Sequence, residues 1–482
     1  MPGTGFQYTL IPLASPSPRS DPEEKYRRPS LLRRARTWII ISAVAAFLFL
    51  SGRWTYLSLS ANASSTSTLS PSSAASASPS LDVLTSLAPA PHFRDALRKD
   101  VKYITSWPSA GWTNDVMTMF NLIYLGVISE RVPILPAFTP THVLQDGEAD
   151  HVPFGQVFDL DRMQREMSQT ILEWHQVKDF AHRPEVDELG CWNVWQVSQA
   201  DEKFPRKSTA PLNYLLDLSY TLAPDWVKIV PWSSSEAVND RHTSFWALAR
   251  LGFPETRNSL NLEPALPSPL HNATLEPDDH LMCLDYLYYV SAHRGDEFDW
   301  DYSPMWRFAG RYARFTPEIT KLAQIYVNRA VGLPDDAPTP PYISVHIRRN
   351  DFRGWCAEDV RIDECLAPVE AYARRIEQVK SELRQKGLEV EHVVVTSDEK
   401  DKDWWADIFS RGYVSIDHSD TFKLYGVWYP VFIDAAIQGN GAGFVGTDRS
   451  TMSRLAARRV EYWHKGPFKL VKWGHLGADN EE

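Results

Sequence analysis

The sequence predicts an α/β protein in which two doubly wound, Rossmann-like domains follow a membrane anchor. Three observations carry this: four strand-like segments each followed by a helix-like one over 342–465, a strand, glycine turn, helix, strand unit from Val101, and one long apolar run near the start. Strands that alternate with helices specify a parallel sheet covered on both faces. A chain of 482 residues is long enough for two such cores.

The composition suits an enzyme-sized globular body. Hydrophobic residues make up 43% of the chain and Trp alone numbers 18, which excludes a disordered or fibrous protein. A formal net charge of −11 argues against a nucleic-acid-binding surface, so an anionic ligand must be held by a few placed groups. The four cysteines, Cys191, Cys283, Cys356 and Cys365, lack the spacing of a zinc site. Two disulfides, Cys356 with Cys365 and Cys191 with Cys283, would suit an oxidising compartment; three pairings, and four free thiols, stay formally open.

Residues 1–37 are polar and end in arginines, which marks a cytosolic tail. The run WIIISAVAAFLFL opens a signal anchor over 38–57, with Arg53, Trp54 and Tyr56 suited to the interface. A Ser/Ala/Pro/Thr-rich stalk over 58–91 cannot bury enough apolar surface to order itself. Sequons at Asn62 and Asn272 fit lumenal exposure. Anchor, stalk and body together predict a single-pass type II protein of the Golgi or ER membrane with a lumenal body.

The body divides into a domain over 92–332 and another over 333–482, joined at the extended LPDDAPTPP segment. In the first, VKYITSW is a strand, PSAGWTND a turn, Val116 to about Ser129 a helix and RVPILPAF a strand. Gly111 and Asn114 lie where the backbone must approach a ligand or the helix. Asp115 is a candidate N-cap of that helix. Residues 140–310 suggest long insertions over the sheet. They contain Asp299-Trp300-Asp301, a spacing that can hold a divalent metal; Asp159 with Asp161 and Asp401 with Asp403 repeat it, as chance would. Thr316, Pro317 and Gly332 then mark the cap, first turn and end of another helix.

The second domain is more regular. Its strands are Tyr342–Arg348, Glu391–Asp398, Tyr413–Ile416 and Gly443–Gly446; its helices run over Pro368–Lys386, through DWWADIF, from about Tyr425 to Gln438, and along STMSRLAARRVEYW. In the first strand Ile343, Val345 and Ile347 share one face, and Ser344, His346 and Arg348 the other. Ligands of open α/β sheets sit beyond the carboxyl ends of the strands. There lie His346 and Arg348, then Ser397 and Asp398, then Thr447, Asp448, Ser450 and Thr451. The last group opens a helix, whose N-terminus favours an anion and also needs an ordinary cap. Arg348 can clamp a diphosphate in bidentate fashion. Asp398 is either a nucleotide-reading carboxylate or a cap for the next helix, and Asp351 is expected to pair Arg349 or Arg353.

HIRRNDF at 346–352, VVVTSD at 393–398 and GTDRSTMSRLA at 446–456 resemble the three C-terminal motifs of the O-fucosyltransferase family, and the Gly111 to Asn114 turn resembles its N-terminal glycine/asparagine loop. The resemblance implies a GT-B fold with two Rossmann-like domains facing a cleft. It also implies inverting, metal-independent transfer of fucose from GDP-fucose to a protein or glycan hydroxyl, with no cofactor. Carried over by position, Arg348 stabilises the β-phosphate, His346 shapes the sugar and phosphate site, Ser450 and Thr451 contact phosphates, Asp398 or its neighbour meets the guanine, and Asn114 reaches the donor across the cleft. Some members carry a carboxylate base just before the loop glycine. Ala110 stands there in this chain, and Asp115 is the nearest substitute. Asn350 also stands where several relatives have Gly or Lys. Two rival readings remain: a metal-dependent transferase using Asp299 and Asp301, and an inactive lumenal carbohydrate-binding or scaffold relative.

Overall fold

Two all-parallel sheets carry the body. The computed structural model describes residues 85, 88–139, 151–180, 185–199, 202–229, 242–293, 295 and 297–480. Among them no helix is long and apolar enough to cross a membrane; the expected tail, the anchor at 38–57 and nearly all of the stalk lie outside the described residues.

The first sheet has six strands: β1 (Tyr103–Ser106), β2 (Val132–Leu135), β3 (Leu172–Glu173), β4 (Asp187–Asn193), β5 (Leu216–Leu222) and β6 (Leu281–Leu284), in the order β3-β2-β1-β6-β4-β5. Four of these, β3 to β6, come from the stretch expected to be insertions. β4, with the sequence DELGCWN, and β5, LDLSYTL, hid because buried polar groups break their apolar pattern. Asp217, for example, is fully buried and accepts from Ser268 Oγ (2.7 Å) and the Leu270 and His271 amides. The disulfide Cys191–Cys283 joins β4 to β6.

The second sheet has five strands: β7 (Tyr342–Ile347), β8 (His392–Ser397), β9 (Val414–Ser415), β10 (Gly443–Thr447) and β11 (Phe468–Val471), in the order β9-β8-β7-β10-β11. β11 follows the last expected helix and was not anticipated. Central β7 is buried throughout, as a parallel strand covered on both faces must be. Its apolar side chains still divide as the alternation requires, with Ile343, Val345 and Ile347 in one cluster beside Tyr372 and Val379. The other disulfide, Cys356–Cys365, closes the segment after β7.

Six helices matter to the site: α1 (Trp112–Ile128), α2 (Pro317–Ala330), α3 (Val369–Gln385), α4 (Lys402–Ser410), α5 (Tyr429–Asn440) and α6 (Thr451–His464). α2 begins as its sequence dictates, with the Thr316 hydroxyl accepting from the Ile319 amide and Pro317 in the first turn. The helix expected from Tyr425 starts at Tyr429 instead. Gly426, at φ 99°, ends a short helix over Thr421–Tyr425 and turns the chain. One apolar cluster runs from α1 through α2 to α5, and Trp112 lies 5.4 Å from Phe432 between ring centres. Burying side chains of this size stabilises by about 1.5–3 kcal/mol each, so the two sheets share a core.

Candidate functional site

Both sheets reverse the direction of their winding. In the second sheet the chain steps outward from β7 through β8 to β9, then returns to place β10 and β11 on the other side of β7. A crevice opens beyond the carboxyl ends of two strands at such a point. The loops bordering it follow Ile347 and Thr447. In the first sheet β1 leads outward to β2 and β3, β4 and β5 lie on the other side, and β6 returns beside β1, so a switch point falls between β1 and β6, bordered by the loops after Ser106 and Leu284. The two reversal points meet through their helices, since Thr113 Oγ1 in α1 and Thr451 Oγ1 in α6 are 2.7 Å apart.

His346, at the end of β7, is 4% exposed and its Nδ1 lies 2.8 Å from Ser453 Oγ in α6. α6 comes this close because Gly446 faces it; a Cβ there would lie 2.7 Å from that of Ser453. Burial, with the Arg348 charge beside it, pulls the imidazole down to about 3, so it is neutral at physiological pH. Thr447 is buried. Its Oγ1 accepts from the Arg348 amide (2.8 Å), lies 2.8 Å from the Tyr372 hydroxyl and donates to the His346 carbonyl (3.3 Å). That hydroxyl therefore fixes where Arg348 leaves the sheet and is spent on protein partners.

Arg348 is paired along one edge. Its Nε and one terminal nitrogen donate to the two Asp351 oxygens at 2.7 and 2.8 Å, and Nε lies 3.3 Å from Asp398 Oδ2. Partial burial works against the cation, but the Asp351 hydrogen bond and the two carboxylate charges outweigh it and hold Arg348 above its ordinary value. The other terminal nitrogen makes no hydrogen bond among the described residues. The expectation that Asp351 would pair Arg349 or Arg353 is corrected: both of those go to Glu399 Oε2, at 2.8 and 2.7 Å. Sequence spacing could not separate three neighbouring arginines whose directions are set by the turn after β7.

Asp398 is not the cap of the next helix. Its oxygens accept from the Arg349 and Asn350 amides at 2.8 and 3.1 Å, while Asp401 caps α4. Ser397 likewise donates to the Ile347 carbonyl (2.7 Å). Both hold the Arg348 loop against β8. Ser450 is the N-cap of α6, its hydroxyl accepting from the Ser453 amide. The Thr451 and Met452 amides that open α6 have no intrahelical partner, as at any helix start.

Across the crevice, Gly111 is the N-cap of α1, and no side chain caps that helix. Asn114 is half-buried, and its side-chain amide makes no hydrogen bond among the described residues. The expected capping role of Asp115 is corrected. It lies inside the first turn, 1% exposed, and its Oδ1 accepts from the Ser109 and Ala110 amides at 3.0 Å each. Burial pushes its carboxyl well above the usual range, more than those amides and the Arg206 charge pull it down. Arg206 donates to the Ser109 carbonyl (2.9 Å) and stacks over Trp195 and Tyr286. Deeper still, Asp285 accepts from the Val194 and Arg206 amides at 2.7 and 2.9 Å, with burial raising it to about 6. These contacts pin the loop after β1 from beneath.

Asp299 and Asp301 do not converge. Asp299 Oδ1 lies 2.7 Å from Arg454 Nε in α6, and Asp301 meets Arg307 at 3.4 Å. Among the described residues, Glu188, Asp217 and His271 are close enough together to share an ion, but they sit at the amino ends of β4 and β5, away from the crevice. Asp299 and Asp301 are each engaged in an ion pair with a different arginine.

Sequence reasoning missed a recess of about 350 Å³ beside the ends of β8 and β9, lined by Thr396, Ser397, Trp405, Phe409, His418 and Asp434 among others. Asp434 Oδ1 lies 2.9 Å from His418 Nε2. Its signal was present: Asp434 is the lone charge within the apolar stretch of α5.

A family model described as GDP-fucose protein O-fucosyltransferase matches residues 103–463. Comparison with curated proteins returns no match. Among solved structures, POFUT1 in complex with GDP-fucose aligns at 14% identity and a TM-score of 0.46, covering 78% of this chain and 99% of that one. The fucosyltransferase NodZ from Bradyrhizobium aligns at 11% identity and a TM-score of 0.37, covering 74% and 92%.

Proposed function

Because the chain belongs to the GDP-fucose protein O-fucosyltransferase family and is therefore a glycosyltransferase of that kind, we propose that it transfers fucose from GDP-fucose to a protein or glycan hydroxyl, with inversion and without a metal ion. The observation that carries the reading is the meeting of the two reversal points at Thr113 and Thr451, with Arg348, one terminal nitrogen of which has no partner among the described residues, on the loop after β7 that borders the same crevice. In this proposal the diphosphate lies at the start of α6, and the guanine enters the recess at Asp434. A carboxylate there can accept both N–H groups of the guanine edge, which uracil cannot offer in that pairing.

The acceptor hydroxyl attacks C1 of the sugar from the face opposite the diphosphate, and as the new C–O bond forms its proton is released to solvent water. As the C1–O bond breaks, its electron pair passes to the β-phosphate, and a fixed guanidinium stabilises the charge as it develops. Asp351 and Asp398 hold that guanidinium in place before the donor arrives. Neutral His346 supplies shape and a hydrogen-bonding ring without adding charge. Asn114 faces the sugar from α1. Metal independence is supported by the ion pairs that occupy Asp299 and Asp301. Ala110 offers no base, and buried Asp115 positions the loop in this reading. The anchor, the type II topology and a Golgi or ER location belong to the same proposal, supported by the arginine-flanked apolar run and the stalk.

Calorimetric titration of the purified chain with GDP and UDP, followed by turnover of GDP-fucose in EDTA, tests the reading. Preference for GDP and EDTA-resistant transfer are expected. Equal affinity for UDP, or loss of activity in EDTA, would overturn the donor or the metal-free assignment respectively. Failure to bind any nucleotide would favour a scaffold.

A further inference from the structure

We propose that Arg449 is a second cation of the donor site, meeting the diphosphate from the α6 side of the crevice. The proposal deepens the donor reading above and rests on it. Arg449 occupies the turn between β10 and α6, directly before the cap residue Ser450. It is exposed and adopts φ 64°, the left-handed region in which a long side chain is disfavoured. Glycine or asparagine fits such a turn better, so the arginine is held there at a backbone cost.

Charge around the crevice says what that is. Arg348, Arg349 and Arg353, on the segment after β7, are matched by Asp351, Asp398 and Glu399. Asp448 adds a further carboxylate at the end of β10. A nucleoside diphosphate sugar brings two more negative charges to this rim. Arg449 is the arginine of these strand-end loops that has no carboxylate partner among the described residues. Its guanidinium lies 5.8 Å from the centre of the Trp473 ring. That ring is fixed by its Nε1, which donates to the Asp448 carbonyl at 2.9 Å, and by Phe352 at 4.7 Å, on the same segment as Asp351. The side chain is thus carried along the rim toward the Arg348 loop.

Arg449→Gly tests this cleanly, because glycine relieves the backbone strain while removing the charge. Titration of the purified variant with GDP is expected to show binding about tenfold weaker than wild type, with guanosine binding unchanged and the melting temperature equal or higher. Arg449→Lys should recover part of the loss, and the salt dependence of GDP binding should flatten in Arg449→Gly. A cation that merely packs on Trp473 would leave the ratio of GDP to guanosine affinity where it was. Wild-type GDP affinity in Arg449→Gly overturns the role of Arg449 alone; a wild-type chain that binds no GDP overturns the donor reading with it.

Discussion

Thr113 and Thr451 stand 338 residues apart in sequence and 2.7 Å apart in space, each in the first turn of a helix that opens on the same crevice. Their contact is the point at which the two sheets register against each other. A cycle of Thr113→Val, Thr451→Val and the double variant should give a coupling energy of about 1 kcal/mol in denaturant unfolding. Additive effects would show that the contact is incidental to how the sheets meet.

Arg348→Ala should reduce kcat by about 100-fold or more while the chain still folds, because its charge acts on the leaving diphosphate. Arg348→Lys should recover little, since a single ammonium cannot hold Asp351 along one edge and present a donor at the other. Near-normal turnover in Arg348→Ala with the native circular dichroism spectrum would remove this residue from the mechanism.

Asp115→Asn keeps an oxygen for the Ser109 and Ala110 amides and removes only a buried ionisable group. It should therefore unfold at or above the wild-type temperature and keep measurable turnover. Asp115→Ala orphans both amides and should cost about 2 kcal/mol. Abolished turnover in a stable Asp115→Asn variant would instead make this carboxyl the missing base.

Acid should destabilise the body in two successive windows. His346 titrates near 6.5 when unfolded but is held at about 3 by burial and the Arg348 charge, so below pH 6.5 protons bind the unfolded chain preferentially. Its full stability is present above 6.5, and at pH 4 the loss is on the order of 3 kcal/mol. Glu399 behaves as a paired carboxylate: burial opposes its charge, but Arg349, Arg353 and two backbone amides hold it at about 2. Its contribution is present above about 4.5 and falls away toward pH 2. His346→Gln should flatten the urea-denaturation profile between pH 6.5 and 4 and leave the lower window intact; an unchanged profile would show that His346 protonates freely in the fold.

The second sheet was legible because each strand of its regular part is a short apolar run closed by a helix signal. Tyr342–Ile347 and Thr451–His464 fall within a residue of their expected limits. β4 and β5 were not legible, because their buried Asp187, Asp217 and Ser219 are satisfied by partners far along the chain, such as His92, Ser268 and the Leu266 carbonyl. At the site, the strand pattern put His346 and Arg348 at the carboxyl end of β7, where they lie. It could not assign the partners of Arg348, Asp398 or Asp115, which depend on how loops fold back over strand ends. Asp434 escaped because a lone carboxylate in an apolar helix gains meaning only once α5 lies beside β8.

The two disulfides differ in how exposed they are to chemistry. Cys191 and Cys283 are fully buried on β4 and β6, whereas Cys356 is half-buried and closes a loop over 356–365 that directly follows the turn carrying Asp351. A small reductant at moderate concentration should therefore open Cys356–Cys365 first, since thiolate attack needs access to a sulfur. Opening that loop loosens Asp351, and with it the edge by which Arg348 is held. Donor affinity would then track the thiol redox balance of the surroundings before the body itself begins to unfold.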